Sequence, residues 1–390
     1  MIRRSSLLAT ALAALAALSL SGTPLASAAP IDRFTPLAAE VLAAPDAVLA
    51  SDGRRHLAYE LVLTNRTYPL AKVTVRRVEA IAGGRVIGGL SGKRLAAVMK
   101  PFGEMKPGAT LRPGETATVL IDLPFRRGEK LPGNLVHRLV VSQQPASSVS
   151  AMSFRAAPTP VHRREAIVVA PPLRGPRWVV GNGCCAAPTS HRAGVLAING
   201  GLYNGERYAI DFFQLTPSGF LAEGSHQQLS NYPYFGAEVL SATAGRVVEV
   251  LDGLPDVPVS LNLPPITIAK AGGNHVVVAL GNGNFAYYAH LRPGSIRVEV
   301  GDRVEVGQVL GLLGSSGNSN APHLHFQLMD GPIPAGSNGV PYRFSAFTSE
   351  GTLTNFVPVF ALGAKAQIAP QPAGPHGKEL PLDLEVVSFR

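Results

Sequence analysis

The second half of the chain contains residues whose types and spacing suit metal-dependent hydrolysis. His323 and His325 stand two residues apart in Pro322-His-Leu-His-Phe326, after a loop rich in Gly, Ser and Asn. On a β-strand, residues two apart point to the same face, so this spacing presents two imidazoles side by side. One can bind a metal while the other acts as a general base or hydrogen-bond donor. Taken alone, the motif fits a solvated pair of histidines equally well.

Two further segments bring residues that could complete such a site. His290 follows an apolar run and precedes the turn Arg292-Pro-Gly294, and Asp211 stands in the otherwise apolar segment Arg207-Tyr-Ala-Ile-Asp-Phe212. A carboxylate within an apolar strand is costly unless it is paired or bound to a metal. Asp211 by itself is also compatible with a satisfied structural carboxylate.

The segments around these residues predict short strands with narrow corners. In Val298–Gly314, glycines punctuate short apolar strands and permit sharp turns at the corners of a sheet. Residues 244–250 and 275–280 predict further strands, and no amphipathic helix with good caps stands out. We therefore expect a mostly antiparallel β domain over residues 160–345.

The first half of the mature chain predicts a separate β-sandwich over residues 29–150. Four segments alternate apolar and polar positions, the period of half-buried strands, and turn signals separate them. This pattern favours an immunoglobulin-like accessory domain without a catalytic constellation. The four segments are 57–64, 72–76, 116–122 and 137–142. A link rich in Ala, Ser, Pro and Gln (143–160) follows, and the Pro-rich extension 346–390 ends in a run that resembles an edge strand.

The N-terminus has the order of a secretory signal peptide over residues 1–28. Arg3 and Arg4 precede an apolar run from Leu7 to Leu20, and Ala26-Ser-Ala28 offers a cleavage site. The run is shorter than the roughly 20 residues of a membrane span, so we expect an exported protein, periplasmic or extracellular, without a span after cleavage. The net charge of +9 suits anionic wall polymers or simply a solvated surface. Scattered basic residues make nucleic acid a poor expectation.

Together these motifs resemble the lysostaphin/LytM-type zinc metallopeptidases. The resemblance is carried by Asp211-Phe212, Tyr288-Ala-His-Leu291, Gly314-Ser-Ser-Gly317 and His323-Leu-His-Phe326, over about residues 185–345. It implies a mainly β, duplicated-hybrid-motif (barrel-sandwich) domain and one Zn²⁺ bound by Asp211 and His325. It further implies that His290 and His323 activate water and stabilise the oxyanion, and that peptidoglycan is the partner whose peptide amides are hydrolysed.

One position departs from the family pattern, which has a histidine four residues before the aspartate. Arg207 stands there, and a guanidinium cannot bind zinc. Ser190-His191 before Arg207-Tyr-Ala-Ile-Asp-Phe212 resembles one branch of the family, which implies that His191 is the third ligand. His226 is the alternative. The remaining histidines are expected to be structural (His275) or surface residues (His56, His137, His162 and His376).

The departure leaves three functions open. The first is an active zinc endopeptidase on peptidoglycan, and the second is an inactive wall-binding or regulatory relative, which the change at Arg207 favours. The third is a metallopeptidase acting on a protein. The two adjacent cysteines, Cys184 and Cys185, could form a vicinal disulfide, remain free thiols or pair between molecules.

Overall fold

The N-terminal part of the chain folds as two antiparallel sheets that share one apolar core. The computed structural model describes residues 33–67, 70–102, 106–144, 151–263, 265–370 and 373–390. The predicted signal peptide lies outside the described residues. Alternation of apolar and polar residues forms these strands, because each sheet has one face on the core and one face away from it. They are β1 (Leu37–Val41), β2 (Ala47–Leu49), β3 (Arg54–Asn65), β4 (Lys72–Ala82), β5 (Arg85–Ser91), β6 (Met99–Pro101), β7 (Thr110–Leu111), β8 (Thr116–Arg126), β9 (Asn134–Gln144) and β10 (Met152–Pro160).

The order of these strands defines what we call the N-terminal sandwich (residues 35–160). One sheet has the order β1-β3-β8-β6, with β2 also paired to β3; the other has the order β10-β9-β4-β5, with β7 paired to β4. A short helix, α1 (Gly92–Val98), follows β5. The two inner faces form one apolar cluster that includes Leu57, Tyr59, Leu61 and Val119. The four predicted strands are present, while the immunoglobulin-like connectivity stays a prediction.

The rest of the chain, the C-terminal region (residues 161–390), is built around one large sheet of eleven described strands. Its order is β20-β17-β18-β19-β22-β15-β12-β27-β24-β25, with β26 paired to β24. The α-helices described in this region are short: α2 (Ile268–Ala271) and α3 (Phe356–Leu362). The strands are β11 (Ile167–Val169), β12 (Gly175–Gly181), β13 (Leu196–Ile198), β14 (Gly201–Tyr203), β15 (Ile210–Gln214), β16 (Glu238–Leu240), β17 (Gly245–Leu251), β18 (Asn274–Ala279), β19 (Phe285–Leu291), β20 (Arg303–Val304), β21 (Val309–Leu312), β22 (Leu324–Met329), β23 (Tyr342–Phe344), β24 (Phe347–Leu353), β25 (Ile368–Ala369), β26 (Gly374–His376) and β27 (Glu385–Phe389). The mainly β fold expected from the sequence is thus observed.

The structure differs from the sequence-based boundaries at two places. Residues 152–160 lie in the predicted link but form β10, which pairs with β9 and alternates between core and solvent. The last strand, β27, was expected at an edge, yet it lies between β12 and β24 inside the large sheet. Its residues Val386 and Val387 are fully buried, which explains why two apolar residues stand in succession there.

Two histidines expected at the surface are instead buried in the N-terminal sandwich. His56 Nδ1 lies 2.9 Å from Oδ1 of Asp122, and His137 Nε2 lies 2.8 Å from the hydroxyl of Tyr59. The surface expectation was wrong for both, because each ring has a polar partner that permits burial. His162 and His376 are partly exposed. Over the described part of the chain, we find no helix with the length and apolar character that a membrane crossing requires.

Candidate metal centre

Three adjacent strands of the large sheet carry most of the predicted site. β22 lies between β15 and β19, and the antiparallel register places His325 directly opposite both Asp211 and Ala289. Residues opposite each other on neighbouring strands point to the same face. This register therefore brings the Asp211 carboxylate beside the His325 imidazole, with Nδ1 3.0 Å from Oδ1. His323, just before β22, points the same way, with Nε2 3.4 Å from the same oxygen.

His191 reaches this group from a turn that follows β12. Thr189 closes the turn, because its carbonyl accepts a hydrogen bond from the backbone N–H of Ala193 and its hydroxyl accepts one from that of Arg192. The imidazole of His191 is buried, and its Nε2 lies 3.2 Å from Oδ2 of Asp211. One ligand atom from each of His191, Asp211 and His325 fits within a mutual distance of 4.8 Å. His226, the alternative ligand, is not part of this group.

Hydrogen bonds on the outer side of the cluster fix the orientation of four imidazoles. The Nδ1 atoms of His191, His290 and His323 lie within 3.2 Å of backbone carbonyl oxygens, those of Ala209, Ser316 and Ala321. A carbonyl only accepts, so each Nδ1 carries the hydrogen and leaves Nε2 for the centre. His325 is turned the other way: its Nε2 donates to Oε1 of Gln327, 2.9 Å away, and its Nδ1 faces Asp211. Such partners are the usual means of orienting metal-binding histidines.

The electrostatics of the cluster concentrate negative charge on Asp211. Burial alone would raise the pKa of Asp211, but His191 and His323 hold it well below its ordinary value. Burial lowers the pKa of His191, but the charge and hydrogen bond of Asp211, together with Glu206 and the Ala209 carbonyl, raise it to about 9. Burial, followed by His323 and His325, lowers the pKa of His290 well below 6.5. The centre thus combines an ionised carboxylate with a neutral imidazole at His290.

His290 and His323 form a pair beside the three candidate ligands. Their ring centroids are 4.5 Å apart, and the ring of Phe213 stacks on that of His323 at 5.0 Å. His290 has a φ of 63° at the end of β19, a left-handed conformation that is uncommon for a residue with a side chain. Such outliers cluster at functional sites, where the surrounding structure stabilises them.

The donor set of this cluster fits zinc. Zinc is bound by imidazole nitrogen and carboxylate oxygen, and catalytic sites typically use three protein ligands with a further position open. His191, Asp211 and His325 supply two nitrogens and one oxygen, and the outer hydrogen bonds direct Nε2 of His191 and Nδ1 of His325 toward the carboxylate. The charge on Asp211 also favours a cation at this position.

Arg207 does not contribute to the cluster and points to the N-terminal sandwich. Its Nη2 lies 2.5 Å and its Nε 2.8 Å from Oε2 of Glu60, a fully buried residue of β3. Arg192, the neighbour of His191, donates from Nη1 to Oε1 of the same carboxylate at 2.5 Å. Sequence reasoning missed this group, since the only signal was a charged residue within the apolar strand Leu57–Leu63.

A cleft of about 360 Å³ opens beside the cluster. Asn182 connects the two, because it lines the cleft and its Nδ2 donates to Oδ2 of Asp211 at 2.8 Å. No motif of the sequence indicates a role for Asn182 or for the C-terminal residues that line the cleft. The residues lining the cleft are Asn182, Thr189, Thr354, Asn355, Phe356, Val357, Pro358, Asp383 and Leu384.

The two cysteines form a vicinal disulfide, one of the three states left open by the sequence. Sγ of Cys185 lies near His56 and Asp122, but the disulfide removes the thiolate that would bind a metal there. His275 is buried at the start of β18, with Nδ1 2.8 Å from the Gly273 carbonyl. That contact agrees with the structural role expected for His275.

Comparison with known proteins gives a family match to part of the C-terminal region. Residues 230–336 match the model of peptidase family M23, so the chain carries a peptidase M23 domain. The matched segment contains His290, His323 and His325, whereas His191 and Asp211 precede it. The family relation expected from the sequence motifs is confirmed.

The curated relatives include two bacterial endopeptidases, and each of these matches covers only part of this chain. The glycyl-glycine endopeptidase ALE-1 of Staphylococcus capitis is 48% identical over 107 residues, 27% of this chain and 25% of that protein. The peptidoglycan DD-endopeptidase ShyA of Vibrio cholerae is 38% identical over 75 residues, 19% of this chain and 17% of that protein. The chain thus spans a quarter or less of the length of these relatives. The crystallised catalytic domain of lysostaphin from Staphylococcus simulans is 26% identical, with 41% of this chain and 84% of that domain covered and a TM-score of 0.23.

Proposed function

We propose that this chain is an exported, zinc-dependent endopeptidase that hydrolyses amide bonds in peptidoglycan peptides. The observation that carries the proposal is the group of His191, Asp211 and His325, flanked by His290 and His323 with their Nδ1 atoms bound to backbone carbonyls. The M23 domain and its homology to peptidoglycan endopeptidases support the reaction class. The signal-peptide pattern of residues 1–28 supports export.

Each residue of the group has a role that its contacts permit. His191, Asp211 and His325 would hold the zinc, which when bound polarises the scissile carbonyl and lowers the pKa of water to about 7. His290 is neutral, and its Nε2 can accept a proton from the attacking water. His323 directs Nε2 toward the same centre and, once that nitrogen carries a proton, can donate to the negative charge that develops on the carbonyl oxygen.

The cleft beside Asn182 is the proposed binding site for the substrate peptide. Its volume of about 360 Å³ falls in the range of small-ligand sites, roughly 300–1,000 Å³. Its wall combines the polar groups of Asn182, Thr189 and Asp383 with the apolar side chains of α3. A peptide of small residues would find hydrogen-bond partners and an apolar wall in this cleft.

The second candidate is a wall-binding or regulatory relative without turnover, which the replacement of the usual ligand by Arg207 favours. His191 argues against it, since its imidazole supplies a third donor from a different segment. A protease acting on a protein is the third candidate, and a digestion with a glycine-rich peptide beside purified wall separates it from the first.

The test is the release of new amino groups from purified peptidoglycan by the mature protein. We expect release that a chelator abolishes and added zinc restores, and none from Asp211→Ala. Zinc-loaded protein that binds the wall but releases no amino groups would contradict the proposed activity and favour the regulatory candidate. Equal or better cleavage of the glycine-rich peptide would favour the protein substrate.

A further inference from the structure

We propose that Glu60 of the N-terminal sandwich is a positioning residue for the metal centre, so that the first part of the chain completes the site. The proposal rests on the proposed function, because it concerns the same zinc ligands. Glu60 touches none of these ligands. It acts through Arg192 and Arg207, each of which belongs to a segment that carries a ligand.

Glu60, Arg192 and Arg207 form a buried ion group. Glu60 and Arg192 have fully buried side chains, and that of Arg207 is 6% exposed. A buried charge without a partner is strongly destabilising, so both guanidiniums depend on the Glu60 carboxylate. Each arginine has its own oxygen, Oε1 for Arg192 and Oε2 for Arg207. One carboxylate of the N-terminal sandwich therefore connects the segment that carries His191 with the segment that carries Asp211.

The first arm of the ion group, the contact of Glu60 with Arg192, fixes the turn that carries His191. Arg192 is the next residue in the chain, and besides Glu60 its guanidinium donates to the carbonyls of Cys185 and Ile121. Its own carbonyl accepts a hydrogen bond from Nδ2 of Asn204 at 3.1 Å. With the side chain and backbone of Arg192 both held, the freedom of the His191 backbone is small.

The second arm of the ion group, the contact of Glu60 with Arg207, fixes the strand that carries Asp211. Arg207 precedes Asp211 by four residues, and its Nη1 donates to the carbonyl of Gly339. Ala209 lies midway between Arg207 and Asp211, and its carbonyl is the acceptor for Nδ1 of His191. The two arms thus meet at the hydrogen bond that orients the His191 imidazole.

The strand that supplies Glu60 is arranged for this contact. Along β3, Leu57, Tyr59 and Leu61 belong to the core of the N-terminal sandwich. Ala58 instead belongs to the core of the C-terminal region, and its carbonyl accepts from the hydroxyl of Tyr208. Because alternate residues of a strand share a face, Glu60 lies on the Ala58 side and is directed to the C-terminal region.

Zinc affinity of folded, zinc-free protein, measured by competition with a chelator, tests the proposal. The variant is Glu60→Gln and the matched control is Glu79→Gln. Glu79 is also a buried, ion-paired glutamate of the sandwich, but its partners Arg138 and Arg77 lie within the sandwich. We expect about tenfold weaker zinc binding by Glu60→Gln and less than about a twofold change in the control. Equal affinities for the two variants would overturn the proposal and leave Glu60 with a structural role only.

A second pair of variants covers a failure of Glu60→Gln to fold. Glu60→Asp keeps the charge but withdraws the carboxylate by one methylene, and Glu79→Asp is its control. We expect the zinc affinity to fall by at least about threefold in Glu60→Asp and to stay the same in Glu79→Asp. An unchanged zinc affinity in Glu60→Asp would overturn the proposal. Wild-type protein that binds zinc without cutting peptidoglycan would contradict the proposed function alone, since the affinity comparison needs no turnover.

Discussion

Nη2 of Arg207 lies 2.5 Å from Oε2 of Glu60, in a buried ion pair between the C-terminal region and the N-terminal sandwich. The arginine that stands in place of the family's usual histidine is therefore directed away from the metal centre. His191, from the turn that follows β12, lies beside Asp211 instead, with its Nε2 3.2 Å from Oδ2 of that carboxylate. Arg207 is thus accompanied by His191, which offers the third candidate ligand, and by the Glu60 carboxylate, which neutralises the guanidinium.

Replacement of His191 by alanine is expected to abolish tight zinc binding. The imidazole is one of the three candidate donors, so His191→Ala should lose zinc as severely as Asp211→Ala, by more than about 100-fold in affinity. Elemental analysis after dialysis measures this, with His226→Ala as the control that retains zinc. Retention of zinc by His191→Ala would show that the third ligand lies elsewhere.

Replacement of His290 or His323 by alanine should separate zinc binding from turnover. Each has Nδ1 on a backbone carbonyl and no place among the three candidate ligands, so either variant should keep its zinc. Loss of a general base or of an oxyanion donor lowers kcat by about 10²–10⁴-fold. The comparison requires zinc content and peptidoglycan hydrolysis on the same samples. If either variant loses its zinc, the histidine that it replaces is itself a zinc ligand.

Gln327 is expected to control zinc affinity through His325. Its Oε1 accepts from Nε2 of His325 at 2.9 Å and so holds Nδ1 toward Asp211. Gln327→Met has a similar volume but no acceptor of comparable strength, and we expect zinc affinity to fall by about 10-fold with the fold intact. Chelator competition measures the affinity and circular dichroism the fold. An affinity equal to wild type would show that strand register alone orients His325.

The ion group at Glu60 should make the zinc-free protein sensitive to acid. Burial alone would raise the pKa of Glu60, but Arg207 and Arg192 lower it below the ordinary 4.5. A depressed folded-state pKa means that the stabilisation is fully present above 4.5 and is lost as the pH falls through the folded-state pKa. Removal of the carboxylate should cost about 3–5 kcal/mol in the free energy of unfolding at neutral pH.

Urea unfolding at a series of pH values measures this effect. We expect the free energy of unfolding of wild type to decline more steeply below pH 4.5 than that of Glu60→Gln. Parallel curves for the two proteins would mean that folding does not shift the pKa of Glu60.

The sequence predicted the parts of the site that depend on local pattern. His323 and His325 share a strand face because of their spacing, and Asp211 marks itself as a carboxylate in an apolar strand. His290 precedes a turn that the sequence shows directly. These four residues meet because their strands are neighbours in one sheet.

The parts that depend on distant contacts were not predicted. Nothing near Glu60 in the sequence indicates Arg207 as its partner, because their contact depends on how the N-terminal sandwich packs against the C-terminal region. The position of β27 inside the large sheet likewise depends on pairing with β12, about 200 residues earlier in the chain. His56 and His137 are buried because of partners on other strands, which the periodicity of their own strands does not reveal.

The most direct test of the proposed zinc site is the zinc content of the purified mature protein, measured by elemental analysis after dialysis against dilute zinc. About one zinc ion per chain is predicted, because His191, Asp211 and His325 form one group of three candidate donors. A chain that retains essentially no zinc would contradict this prediction and show that the replacement at Arg207 removed metal binding.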